Sequence, residues 1–136
     1  MNKSPFFVSL AYAKHEFITT WDTTKTGSSN NTSISIPTFG SGYDYDVDWN
    51  NDGIYDEFGI TGNIIHDFGV SGTYTIRIQG SFPRIYFNNE YDNLKILSVD
   101  QWGINPWTTM EKAFYGAENL IVTATDSPDL SNLTSM

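Results

Sequence analysis

The feature that most narrows the folds open to this chain is an internal repeat in its last third. Asp92 to Met110 (DNLKILSVDQWGINPWTTM) returns as Glu118 to Met136 (ENLIVTATDSPDLSNLTSM) at an offset of 26 residues. The copies share Asn93/Asn119, Leu94/Leu120, Asp100/Asp126, Thr108/Thr134 and Met110/Met136, and Ile96/Val122 and Ile104/Leu130 are near matches. A period of this length with Leu and Asn at fixed places describes a solenoid, because one such unit cannot bury its apolar face until a neighbour stacks on it. Each unit is expected to hold a short strand around Ile96 or Val122, a loop, and a brief helix beginning near Thr108 or Thr134. Trp107, Met110 and Phe114 at i, i+3 and i+7 supply the apolar face of that helix, and Gly116 ends it.

Upstream of the repeat the period changes from 26 to two. In Gly42 to Trp49 (GYDYDVDW), Tyr43, Tyr45, Val47 and Trp49 alternate with Asp44, Asp46 and Asp48. Strand side chains point alternately to opposite faces, so the aromatic set faces a core and the carboxylates face out. Thr73 to Gln79 (TYTIRIQ) behaves the same way, with Tyr74, Ile76 and Ile78 inward. Strands are also expected at residues 17–24, at 32–37 with Ile34 and Ile36 inward, at 54–59, at 62–68 and at 83–88, with Gly, Asn and Pro turns between them. That pattern describes a mainly β protein built on a β-sandwich, which the resemblance named below makes immunoglobulin-like. Domain organisation is expected as a leader at 1–16, a sandwich at 17–89 and a leucine-rich segment of about one and a half units at 90–136.

Two family resemblances rest on these residues. The run from His66 to Ile78 (HDFGVSGTYTIRI), preceded by Tyr45-Asp-Val-Asp48-Trp49, resembles the PKD-type (polycystic-kidney-disease-like) immunoglobulin-fold domain. The resemblance implies a sandwich in which Tyr74 packs at a corner, Gly72 allows the turn and His66 ends a strand beside it. Trp107-Thr-Thr-Met110, Ala113-Phe114-x-Gly116-Ala117-x-Asn119-Leu120 and Pro128 to Met136 are similar to the 26-residue repeats of BspA-like bacterial leucine-rich surface proteins. Implied here are an extracellular or cell-surface location and adhesion-type binding of a protein or glycan. Members of that family stack many repeats, whereas this chain has one full period and a fraction. Leu120, Val122, Leu130, Leu133 and Met136 have no next coil to cover them, and such an apolar end predicts self-association or further repeats.

Charge and composition remove several classes of function. Sixteen Asp and Glu against seven Lys and Arg give a net charge of −9, with no basic run, which argues against nucleic acid. The absence of cysteine excludes disulfides and thiolate chemistry. No window reaches the roughly 20 apolar residues of a membrane-spanning helix, so no membrane insertion is expected. Lys3, the apolar 5–13 and Ala11-Tyr12-Ala13 give the amino terminus a secretory look, with a first strand or frayed leader as the alternative.

The sharpest candidate site is Asp48-x-Asn50-x-Asp52-Gly53-x-x-Asp56. Calcium takes six to eight oxygens, and this spacing sets oxygens at alternate positions around a Gly turn. The pattern lacks the Glu at its twelfth position, which is Gly59, and a plain hairpin turn in which Asn, Asp and Gly tolerate turn dihedrals is the alternative. No cofactor is otherwise required. Asp44, Asp46 and Asp48 have the look of paired hydrolase carboxylates, but a solvated acidic face accounts for them without a cleft. His15 and His66 are the only histidines and sit in no nucleophile or metal motif. The chain therefore reads as non-catalytic. Tyr86, Tyr91, Trp102 and Trp107 are candidates for a sugar-stacking platform, which would make the chain a carbohydrate-binding accessory module of a secreted enzyme; filling the seam between two subdomains is the other use of such rings.

Overall fold

A computed structural model describes residues 15–134; the expected leader, apart from His15 and Glu16, and Met136 at the repeat end lie outside the described residues. Eight strands form in chain order: β1 (Phe17–Asp22), β2 (Ser33–Ile36), β3 (Asp44–Asp48), β4 (Glu57–Ile60), β5 (Ile64–Asp67), β6 (Thr73–Ser81), β7 (Ile96–Gln101) and β8 (Ile121–Val122). No helix forms among the described residues. Six strands make one sheet in the order β4-β3-β6-β1-β7-β8, and β2 pairs with β5 in a second. The protein is all-β, with two sheets, as the alternating segments require.

The predicted inward residues form the core, except Tyr74, which is half-buried. Tyr43, Tyr45, Val47 and Trp49 are all buried, as are Ile76 and Ile78, and they share one cluster with Ile34 and Ile36 of the smaller sheet. Every pairing within the larger sheet is antiparallel except the last, where Ser98 and Val99 of β7 pair in parallel with Ile121 and Val122 of β8. The repeat is thus continuous with the sandwich, because β7 hydrogen-bonds to β1 along the edge that β6 leaves open. At the strands the coil advances 23 residues (Val99 to Val122), three fewer than the sequence offset. The offset of 26 reappears at Thr108 and Thr134.

Three local expectations are corrected. The helix from Trp107 to Tyr115 is replaced by successive turns. The carbonyls of Ala113, Lys112 and Tyr115 accept the backbone N–H groups of Phe87, Asn88 and Asn89, and Lys112 adopts a left-handed φ of 52° that no right-handed helix accommodates. The strand expected at residues 83–88 does not form. Its backbone serves instead as a floor for the first coil: the carbonyl of Pro83 accepts from both the N–H (2.9 Å) and hydroxyl (3.2 Å) of Thr108. Finally, β2 is buried on both faces rather than one, Ser33 and Ser35 included. Asp92 and Lys95 cause this. The Asp92 carboxylate accepts from the N–H (2.7 Å) and hydroxyl (3.1 Å) of Ser35, and the Lys95 ammonium donates to the carbonyl of Ser33 at 2.9 Å.

Candidate functional site

The acidic stripe of β3 is less exposed than a solvated face requires. Asp44 is exposed, but Asp46 is half-buried and Asp48 fully buried. Asp46 accepts from the N–H of Gly59 and the side-chain amide of Gln79, each at 3.0 Å. Asp48 opens the turn into β4, and there its carboxylate folds back over the backbone. One oxygen accepts from the N–H groups of Asn50 and Asp52 at 3.3 Å, the other from Gly53 at 2.8 Å, and the Arg77 guanidinium stands 4.0 Å away. Asp52 accepts from Ile54 N–H, and Asp56 from Trp49 N–H, both at 2.8 Å. Asn50, Asp52 and Asp56 are exposed. Among the described residues no group of three or more His, Cys, Asp or Glu is placed to hold a metal ion. Turn closure is what these carboxylates do in the geometry at hand, for each one satisfies an amide that the hairpin leaves open.

The four candidate stacking aromatics are not brought together. Trp107 is fully buried and Trp102 is 8% exposed. Their rings meet edge to face at 5.9 Å, and Phe17 packs on both, at 5.1 Å from Trp107 and 6.0 Å from Trp102. These two tryptophans fill the seam between sandwich and repeat and offer no open face to a sugar. Tyr86 stacks on exposed Phe39 at 4.6 Å, with Arg84 4.4 Å above its ring. Tyr91 is exposed, in a turn with φ 58°.

An aromatic row runs from Trp49, just after β3, over His66 of β5 and Phe68 to Tyr74 of β6, all within the segments that resemble the PKD-type domain. Trp49 stacks on His66 at 4.3 Å, His66 meets Phe68 edge on at 4.6 Å, and Phe68 stacks on Tyr74 at 3.8 Å. The indole N–H of Trp49 donates to Glu57 at 3.1 Å, and the Tyr74 hydroxyl to the carbonyl of Val70 at 2.6 Å. Burial pulls the His66 pKa below its usual value, against Glu57, Asp56 and Asp67, which all raise it. A shallow groove of about 320 Å³ lies along these rings. Trp49 is buried, and His66, Phe68 and Tyr74 are half-buried against one another.

A deeper cleft, of about 350 Å³, opens where the first repeat loop meets the sandwich. Phe17, Ile78 and Phe82 form its apolar wall, Ile104 and Pro106 its lip, and His15, Asp46, Gln79 and Asn105 its polar groups. Asn105 is 9% exposed, yet the oxygen and nitrogen of its side-chain amide are both buried without a partner. The indole N–H of Trp107, whose ring packs on Phe17 and Phe82, also lacks one. Sequence reading missed this cleft because its members come from four separate segments and form no motif.

At the far end of the sheet, Ile121 and Val122 are about 60% exposed and Leu130 42%, while Leu120 and Leu133 are half-covered. The coil beneath is held by the residues that repeat. Thr134 sends its N–H (2.8 Å) and hydroxyl (2.9 Å) to the carbonyl of Thr108, as Thr108 does to Pro83. Asp126 accepts from the N–H groups of Trp102 and Gly103 at 3.0 and 2.9 Å, and Asn119 donates to the carbonyl of Leu94 at 2.9 Å. No family model, curated protein or solved structure matches this chain.

Proposed function

We propose that the chain is a non-catalytic recognition module of a bacterial leucine-rich surface protein: a PKD-like, immunoglobulin-type sandwich that caps a leucine-rich coil and acts outside the cell. The observation that carries this reading is the threonine ladder from Pro83 through Thr108 to Thr134. The same residue type makes the same two-pronged bond to the layer beneath it in each copy, so the identities in the repeat are stacking contacts. The sandwich supplies the first layer, and the exposed Ile121, Val122 and Leu130 form the face on which a further coil of the same kind sits. Partners are proteins or glycans met by the coil surface and its junction with the sandwich, and the role requires no cofactor. The aromatic-platform version of a carbohydrate-binding accessory module loses its two central residues to the core.

The experiment is to append one further copy of residues 111–136 after Met136, which keeps the offset of 26, and follow the melting midpoint and binding of a hydrophobic dye. A stacked coil raises the midpoint and lowers dye fluorescence. If the added unit is digested by protease at once and the midpoint does not move, Ile121 and Val122 are not a stacking face. Recognition itself is checked by probing the immobilised chain with extracellular matrix proteins and a glycan panel, and a chain that holds neither is not an adhesion module.

A further inference from the structure

We propose that the open edge of β5 is a docking site for an extended, arginine-bearing segment of a partner protein, which adds a strand to the smaller sheet and sets a guanidinium in the groove beside Asp56 and Asp67. Hydrogen-bonded pairs alternate along an antiparallel ladder. Phe68 N–H donates to the carbonyl of Thr32 at 2.8 Å, and β2 and β5 run in the register Ser33↔Asp67, Ile34↔His66 and Ser35↔Ile65. Ile34 therefore exchanges bonds with His66, whereas Ser33, Ser35, Ile65 and Asp67 turn their N–H and C=O groups away from the ladder. On the β2 side the repeat takes them up: Lys95 donates to the Ser33 carbonyl at 2.9 Å, and Asp92 accepts from Ser35 N–H at 2.7 Å. On the β5 side the N–H and C=O groups of Ile65 and Asp67 make no hydrogen bond among the described residues. One edge of the smaller sheet is closed, and the other can pair with an incoming strand. On the same flank β4, whose Glu57 lies 4.0 Å from His66, is broken by a register shift and by Gly59 at φ 67°. β5 is regular, and Ile65 is 65% exposed on it.

The groove selects the chemistry of the segment. It runs from His66, Asp67 and Phe68 at the end of β5 to Asn50 and Asp56 in the turn after β3, with a volume of about 320 Å³. Asp56 and Asp67 are both exposed, and among the described residues no Lys or Arg lines the groove. Asp56 gives one oxygen to Trp49 N–H and keeps the other open; Asp67 holds the Thr32 hydroxyl and Gly69 N–H with a single oxygen. An added strand lies about 4.8 Å from its neighbour and passes His66 and Asp67, where a long side chain turned toward the core enters the groove. A guanidinium there meets two carboxylates and can stack on the half-buried rings of Phe68 and Tyr74. A second copy of this chain would instead bring another net charge of −9 to an acidic groove, which disfavours self-pairing.

The site lies on the sandwich and goes beyond the recognition role proposed for the coil, so its failure leaves the appended-coil result untouched. The experiment uses the full chain and an acetylated, amidated peptide, Thr-Val-Arg-Val-Arg-Val-Thr, read by amide shifts and amide hydrogen exchange. One control peptide carries Glu in place of both Arg, and a second keeps both Arg but has every backbone N–H methylated. The expected result is that the arginine peptide slows exchange at the amides of Ile65 and Asp67 while neither control does. Asp56→Asn, which keeps an acceptor for Trp49 N–H, weakens the peptide about threefold, the size of an exposed charge pair. Ile65→Pro removes an outward N–H where an edge strand tolerates proline, and protection at Asp67 is then lost. Should Ile65→Pro fail to fold, Asp56→Asn and the methylated peptide decide the matter alone. The proposal is overturned if the arginine peptide produces no shift at about 1 mM. Equal binding of either control overturns it too, since attraction would then need no pairing or no cation. Protection of the Ile65 and Asp67 amides that grows with protein concentration in the absence of peptide would assign the edge to a second copy and overturn it as well.

Discussion

Lys95 is the residue whose removal tests most directly how the repeat is joined to the sandwich. Its ammonium is fully buried and donates to the carbonyls of Ser29 (3.2 Å), Asn30 (2.7 Å) and Ser33 (2.9 Å) and to the hydroxyl of Ser29 (2.9 Å). Asp92 holds the same segment from its amide side, through the N–H groups of Ser29 and Ser35. Together they fasten the loop at 25–32 and β2 to the first turn of the repeat. Lys95→Met keeps the length of the side chain but strands three carbonyls and leaves a buried carboxylate without its counter-charge. Each buried carbonyl left without its donor costs about 1–3 kcal/mol, and three of them put the expected loss at about 3–5 kcal/mol. For 136 residues that lowers the melting midpoint by roughly 10–17 °C. Because Asp92 and Lys95 bind the same strand, a cycle with Asp92→Asn should be non-additive by about 0.5–3 kcal/mol. The pH dependence has a definite sign. Burial depresses the Lys95 pKa, against the opposing pull of Asp92 and Asp22, so between the folded value and the ordinary 10.5 of a free lysine the unfolded chain binds the proton that the folded one has released. Stability contributed by this group therefore rises with pH through that window, and the rise is absent from Lys95→Met. Chemical and thermal unfolding measure both quantities. A Lys95→Met loss below about 1 kcal/mol would refute the reasoning, since it would mean that water replaces the ammonium at no cost.

Trp107→Ala deletes a fully buried ring that packs on Phe17, Phe82 and Trp102, and a loss of about 3–5 kcal/mol in urea unfolding is expected; a fully stable variant would show that the seam does not need the ring. His66 has a depressed pKa through burial, so the stability it contributes is present above its unfolded value of 6.5 and lost as pH falls through the folded value; melting curves of the chain and of His66→Gln between pH 7.5 and 4.5 should diverge on the acid side, and parallel curves would remove histidine from the account. Millimolar calcium, compared with chelator, should leave the midpoint unchanged, because Asp48 spends both oxygens on backbone amides. A calcium-dependent rise would show instead that the turn at 48–56 rearranges around the ion.

The strands were legible where one face alone decides the residue. Tyr43 to Trp49 and Thr73 to Gln79 alternate cleanly, and the core follows from them. The repeat was legible as well, and the parallel pairing of β7 with β8 is its product. What escaped was set by partners distant in the chain. Trp107, Met110 and Phe114 have helical spacing, but Phe87, Asn88 and Asn89 claim the carbonyls a helix would need. Ser33 and Ser35 read as solvent-facing because nothing local announces that Asp92 and Lys95, some 60 residues on, will cover them. Asn105 belongs to no motif, and only the folded chain shows its amide buried without a partner.

The placement of β7 explains how one chain joins two kinds of β-structure. A sandwich ends in edge strands whose open amides and carbonyls invite pairing with other chains. Here β1 would be such an edge, and β7 covers it in antiparallel sense with two register shifts. Those shifts mark where a six-residue strand that must also begin a coil departs from ideal pairing with β1. On its other side β7 accepts only a parallel partner, since the chain returns through turns at 103–120 to start β8 in the same direction. The edge problem is thereby moved to β8 rather than removed. Two residues make a poor template for a foreign strand, but Thr134 keeps the 26-residue offset of the repeat and Val122 stays exposed beside it. A two-residue edge that leaves Ile121 and Val122 exposed favours a coil of its own kind over a foreign strand, and Val122→Lys should therefore abolish the stabilisation given by an appended unit while leaving the stability of the chain itself within about 0.5 kcal/mol of its starting value.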